Sequence, residues 1–384
     1  MMKRKTIFLI SLIALLTILS CAPVFAADVC KIGSKNYTSL KKAIAAVKDG
    51  QTITILQPIK TTGQISIRNG KTFILNFANK QYTCSADDYA FTVAPGTTVT
   101  VKNLKMAAYK AFRVGGTMKI VSGAMSSGYI TVDTDKTTAG KLIIQNGTFN
   151  ITKKQDEGPW LDNYGTLKIT GGTFSTAADI RSSKKMTING GTFTYNGGHS
   201  ILSNTGGTTV INGGSFSSGK FQSVIAGKGK LVVNGGTFKS KTISVVDAEN
   251  ASVIITGGTF TRTQDGGPGV QFKRAATISG GTFKGGLSLH GNATLNGGKT
   301  THHVVAEPGA TVTINKFTVT QSNPPHQGPG WGDACLIANN AKMTVNGGSY
   351  TSTNGYGYAA VNGGKVTFGV SSWKSLFNVM KYKF

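Results

Sequence analysis

Asp156, Glu157, Asp162, Asp179 and Arg181, with Lys153 and Lys154 alongside, are the residues whose types and spacing suit polysaccharide chemistry. A lyase needs several carboxylates to hold Ca²⁺ and a basic group to abstract a proton. A glycoside hydrolase needs two carboxyl groups roughly 5–10 Å apart. The acids before Asp162 and those near Arg181 are about one repeat apart, so stacked coils would bring them together. The alternative is that these acids neutralise neighbouring lysines in a solvated loop. Asp133 and Asp135 alternate on an expected strand and so share a face, but two carboxylates are too few to hold calcium alone. No cofactor is expected, with Ca²⁺ entering only under the lyase reading. His302 and His303 are adjacent on an expected strand and would point to opposite faces, which spoils them as a metal pair. No His-x-x-x-His, Cys-x-x-Cys or nucleophile-elbow pattern occurs, which argues against metal-hydrolase and triad chemistry.

Two tryptophans, Trp160 and Trp331, each follow a Gly-Pro pair and precede an aspartate by two positions, Asp162 and Asp333. Their loops, and a third at Arg262–Gly269, start at similar points in the sequence pattern and should leave one flank. Each ring is either an exposed platform for a pyranose or a plug for its own loop. The charge is one-sided: 41 Lys+Arg against 15 Asp+Glu, a net +26. Without the first 26 residues the balance is 38 to 15, or +23, and only five of the 38 are Arg. Lysine is a hydrated point charge, which favours diffuse attraction over bidentate recognition. Lys141, Lys185, Lys230 and Lys342 each stand eight residues before an aromatic, with Lys119, Lys168, Lys228 and Arg274 nearby. They predict a broken basic stripe on one outer face, with an anionic polysaccharide or cell-wall glycan as partner. The competing explanation is that the lysines only keep a long sheet soluble and guard its edges. No nucleic-acid recognition motif is present.

The elements that must carry these groups follow from a repeat. Apolar–x–apolar–Asn/Thr/Ser–Gly–Gly–Thr–Phe recurs eight times with small variations, ending at Phe149, Phe174, Phe193, Phe216, Phe238, Phe260, Phe283 and Tyr350. The spacings are 25, 19, 23, 22, 22 and 23 residues, then 67, or three more periods. A period in this range marks a solenoid whose coils bury their apolar faces against one another. The alternating apolar residues are strands, and the glycines turn the chain. The aromatics should form one buried column. Thr170, Asn189, Asn212, Asn234, Thr256, Ser279 and Asn346 should form a second, polar column, inward or lining the turn. Counting coils of about 4.8 Å puts the Trp160 and Trp331 loops roughly 40 Å apart. They cannot share one catalytic centre, but they could grip one long polymer.

The Gly-punctuated coils and polar ladder resemble the right-handed parallel β-helix of the pectate-lyase-like superfamily over residues 50–370. The Gly-Gly-Thr-Phe coils look like those of repeat-rich surface proteins of Gram-positive bacteria. The resemblance implies a single-stranded, all-β, right-handed parallel β-helix of about 22 residues per coil. It does not imply one activity, because this architecture hosts lyases, hydrolases, adhesins and binding modules.

Residues 1–26 have a basic head, an apolar run and a Val-x-Ala end, the pattern of a secretory signal peptide cleaved after Ala26. Ile18-Leu19-Ser20-Cys21 loosely resembles a lipoprotein box, which Leu19 fits poorly. The expected location is therefore secreted or at the cell surface, without an integral membrane span. Residues 27–50 read as a cap with an amphipathic helix built on Leu40, Ile44 and Val47, capped by Thr38 or Ser39 and ended by Gly50. Residues 51–370 are the solenoid, and 371–384 close its far end or form a tail. Cys30 and Cys84 could pair or stay free, whereas Cys335 reads as a buried thiol. The expectation is a monomeric binding or adhesion module. The alternatives are a lyase or hydrolase centred on Asp156–Arg181, or a structural surface spacer.

Overall fold

The computed structural model describes residues 27–133, 139–151, 160–176, 178–195, 200–219, 225–241, 246–248, 252–263, 268–321 and 334–383. Residues 1–26, including Cys21, lie outside that range. The chain is a parallel β-solenoid of about 22 residues per turn. Each full turn contributes to three rows of strands. The first row contains Thr98–Lys102, Thr117–Ile120, Lys141–Ile144, Thr166–Ile169, Lys185–Ile188, Thr208–Ile211 and Lys230–Val233. The second contains the Thr-Phe strands, such as Thr173–Thr176 and Thr192–Tyr195. The third contains Leu161–Asn163, Ile180–Ser182 and Leu202–Asn204. Each strand pairs in parallel with its counterpart one coil away. Equivalent residues of the repeat therefore line up along the axis.

The aromatic column forms as the repeat predicts. Phe149, Phe174, Phe193, Phe216, Phe238, Phe260 and Phe283 stack with centroids 4.6–5.0 Å apart and planes within 9° of parallel. These spacings match the separation of hydrogen-bonded strands, so backbone ladder and ring stack reinforce each other. Beyond Phe283 the column continues through Thr300 and Val319 to Tyr350. Phe317 is therefore two residues before the column position. Its ring turns toward the gap left by Thr300, 6.3 Å from Phe283 and tilted by 34°.

The glycine pair has two separate causes. Gly191 has φ 110°, a conformation closed to residues with a Cβ. Gly190 lies so close to the coil below that a Cβ would come within 2.9 Å of the Thr170 carbonyl oxygen. The polar column lines this turn on the outside. Asn212 donates to Asn189, Asn234 to Asn212 and Thr256 to Asn234, each at 2.8 Å.

At the N-terminal end, helix Leu40–Ala46 buries Leu40, Ala43 and Ile44. Ser39 occupies the cap position in extended conformation, but its side chain makes no capping bond. Strand Cys30–Ile32 pairs antiparallel with Thr52–Ile55, which covers the edge where the stack begins. Cys30, Cys84 and Cys335 are all buried and free, so Cys30 and Cys84 form no disulfide. At the far end, Phe377–Lys383 adds a strand to Ser349–Val361, and Trp373 stacks on Phe368 at 4.7 Å. Among the described residues no helix is long and apolar enough to cross a membrane.

Two outcomes follow. Phe216→Ala should cost about 3–5 kcal/mol in denaturant unfolding, because it opens a cavity with stacked rings on both sides. Stability should also fall under alkaline conditions. Burial pushes the Cys335 thiol up to about 12; burial and, secondarily, the charge of Asp28 push Cys30 up to about 11. Both thiols ionise at lower pH once unfolded, so their contribution is complete below about pH 9 and is lost as pH rises through the folded values. The guanidinium midpoint should drop from pH 8 to pH 10.5, and Cys335→Ala should flatten that drop.

Candidate functional site

The three rows present different outward chemistry. On the first row, outward side chains alternate with the buried Leu142, Leu167, Met186 and Leu231. Register places Thr117, Lys141, Thr166, Lys185, Thr208 and Lys230 in one column, one coil apart. Two residues along each strand, Lys119, Ile143, Lys168, Thr187, Val210 and Val232 form a second column. Lys141, Lys168, Lys185 and Lys230 are exposed and Lys119 is half-buried. No first-row strand contains an acidic residue. These five lysines have no ion-pair partner among the described residues. Part of the predicted stripe thus lines up as a column from Lys141 to Lys230, with threonine between successive lysines, while Lys342 stands in the same column beyond coils that carry no lysine there.

The second row shows threonine and serine outward, from Thr148 through Thr173, Thr192, Ser215 and Thr237 to Thr259. Carboxylate and guanidinium groups gather instead on the third row. Asp162 and Arg181 are register partners on adjacent coils. Arg181 donates from Nε to Asp162 Oδ1 at 3.0 Å and from Nη2 to Oδ2, while the Tyr164 hydroxyl donates to Oδ2 at 2.8 Å. The bonds to Asp162 raise the Arg181 pKa against the opposing effect of burial. Burial, then the bond to Asp162, raises that of Tyr164. Both Asp162 oxygens are taken, which leaves this carboxylate poorly placed to abstract a proton or bind calcium. Asp179 lies half-buried before Arg181, and its carbonyl accepts the Trp160 amide at 3.1 Å. Lys153, Lys154, Asp156 and Glu157 lie outside the described residues, as do Trp331 and Asp135.

Several expectations are corrected. Trp160 is 1% exposed and cannot serve as a sugar platform. Its indole lies 6.5 Å from Phe149 and 6.0 Å from Phe174, closing the core beside the aromatic column. An indole gains more from burial against two rings than from exposure at a loop tip. The strand at Gly123–Val132 ends just before Asp133. Arg113 holds Asp133 Oδ2, at 2.8 Å from Nε and 2.6 Å from Nη2, so Asp133 is committed to an ion pair. His302 and His303 lie in a bend before strand Val304–Ala306 rather than on a strand. No group of three or more metal-ligating side chains occurs among the described residues.

The aromatic surface missed by sequence reasoning is made of tyrosines at the two corners of the third row, Tyr89, Tyr109 and Tyr129 where the chain enters it and Tyr164 where it leaves. Tyr109 is 48% exposed and Tyr164 38%. Tyr109 meets Tyr129 edge to face at 5.6 Å. The Tyr89 hydroxyl shares a 2.6 Å hydrogen bond with Thr131, and Lys110 lies over the Tyr89 ring. At the other end of these third-row strands a cleft of about 280 Å³ is lined by Arg68, Pro95, Arg113 and Asp133. The available sequence signal was the set of tyrosines following one another at coil spacing, Tyr89, Tyr109 and Tyr129.

No protein family, curated protein or solved structure matches the chain.

Trp160→Ala should cost about 3–5 kcal/mol in denaturant unfolding through loss of core packing. With Tyr164→Ala as the exposed comparison, glycan affinity should change for neither or only for Tyr164→Ala. A loss of binding by Trp160→Ala at unchanged stability would restore the platform role.

Proposed function

We propose that this chain is an exported β-helix protein that binds anionic polysaccharide at a cell surface or outside the cell. The observation that carries the proposal is the first-row face: five lysines over six coils without an ion-pair partner among the described residues, and no acid on any described strand of the row. Lysines needed only for solubility would be expected among acids, as on mixed protein surfaces. Here the acids of the described coils from residue 98 onward, Asp133, Asp162, Asp179, Asp247 and Glu307, lie on or beside third-row strands. The segregation leaves one face uniformly positive, which attracts a polyanion along its length. The tyrosine corner supplies rings that suit stacking on neutral sugar faces. The likeness to pectate-lyase-like β-helices and to Gram-positive surface proteins, together with the signal-like residues 1–26, supports this reading. The lyase alternative has less support, because Arg113 and Arg181 engage two of the described third-row carboxylates, Asp133 and Asp162.

Retention on immobilised polyuronate at low salt tests the proposal, with ultraviolet detection of unsaturated product run in parallel. Binding should weaken steeply as salt shortens the screening length to about 8 Å and below. Replacing Lys141, Lys185 and Lys230 together by Gln should weaken it about tenfold, at about 0.5 kcal/mol per exposed charge. Product formation would favour the lyase. Failure to bind any anionic glycan would leave a structural spacer.

A further inference from the structure

The lysines of the first row are ordered more strictly than a positive face requires. Over four consecutive coils there is one lysine per coil, and it changes column each time: Lys119, Lys141, Lys168, Lys185. The next coil carries Thr208 and Val210, and the one after it carries Lys230, back in the column of Lys141 and Lys185. The alternation therefore keeps its phase across the vacant coil. Lysines in one column are two coils apart, roughly 9–10 Å. The two columns are separated by two residues along a strand, roughly 7 Å. The result is a flat zigzag of charge about 24 Å long, parallel to the solenoid axis.

Repulsion between directly opposed like charges is not enough to impose this alternation, since Lys342 and Lys365 face each other in one column on adjacent coils further along the row. Nor does repulsion require one lysine per coil, or a phase that survives a gap. We infer that the zigzag is a register for a ribbon-like polyuronate lying along the solenoid axis. In such a ribbon every sugar is charged and successive carboxylates project to opposite sides. A chain of equatorial 1,4-linked uronic acids has this form, and each sugar advances by about one coil. Each carboxylate then meets one ammonium except over the coil of Thr208 and Val210. This rests on the reading of the chain as a polyanion binder and adds the geometry of the polymer it selects.

The vacant coil provides the test. Val210→Lys places a charge where the zigzag lacks one, whereas Thr208→Lys places the same charge in the same coil but between Lys185 and Lys230. Affinities for β-1,4-linked polyglucuronate and for flexible poly-L-glutamate are measured by calorimetry at fixed salt, with melting temperature checked for each variant. Val210→Lys should tighten polyglucuronate binding about threefold over the unmodified chain and over Thr208→Lys. Polyglutamate should respond equally to both variants. The charge-conserving double change Thr166→Lys with Lys168→Thr straightens the zigzag and should weaken polyglucuronate binding about threefold, with polyglutamate unchanged. If Val210→Lys gives no gain, or no more than Thr208→Lys, while the unmodified chain binds both polymers, attraction is diffuse and the register is wrong. If the unmodified chain binds neither polymer, the polyanion reading itself fails.

Discussion

The separation of hydrogen-bonded strands sets everything else in this molecule. A coil cannot rise by more or less than one strand spacing, so each side chain meets its equivalent one coil away at nearly fixed distance. Flat aromatic rings accept that distance as a stacking distance, and the phenylalanine column exploits it, at 4.6–5.0 Å from Phe149 to Phe283. Amides accept it as a hydrogen-bonding distance, as in the Asn189–Asn212–Asn234 ladder. Charges of one sign gain nothing from it, because adjacent lysines in one column repel at that range, and the chain tolerates this at Lys342 and Lys365. The repeat is thus conservative where like attracts like, and from Lys119 to Lys230 it alternates where like repels like.

The same constraint explains how departures from the repeat are absorbed. Where Thr300 replaces an aromatic, the column would carry a void, and voids in a close-packed core are costly. Phe317, two residues out of phase and one coil on, turns its ring into that region. Trp160 acts similarly at the edge of the column, closing the core at the point where its loop rejoins the coil. Loops leaving the solenoid can vary, but the residue at which each returns must seal the stack. Large aromatic residues at those return points are therefore drawn inward.

That is also why the fold was legible in the sequence and the site only partly so. The period, the alternation and the paired glycines each have one physical solution, and together they dictated coil, column and turn. The lysine column was legible because eight residues before the aromatic is a position within the same coil. Trp160 was misjudged because sequence shows that a tryptophan follows Gly-Pro but not which way the chain re-enters the core. Tyr109 and Tyr164 were overlooked because the corners between rows vary in length, so no fixed offset from the repeat marks them. The pairing of Asp162 with Arg181 was half visible: one coil of separation was clear, but mutual neutralisation needed the register.

A solenoid that stacks identical coils would place all its charges on every face unless the rows were kept distinct. Here they are distinct. Lysine without acid occupies the first row, mainly hydroxyls with a few lysines and Arg262 the second, and the described acids from residue 98 onward, two of them paired with arginine, the third. Arginine's planar fork can neutralise a carboxylate through two bonds, as Arg181 does with Asp162. Lysine cannot match that geometry, and on the first row it has no carboxylate to match. The acidic groups are thereby removed from competition for the lysines, which remain available to a partner outside the chain. Separation of the acids from the first-row lysines, rather than net charge alone, is what the proposed polyanion surface rests on.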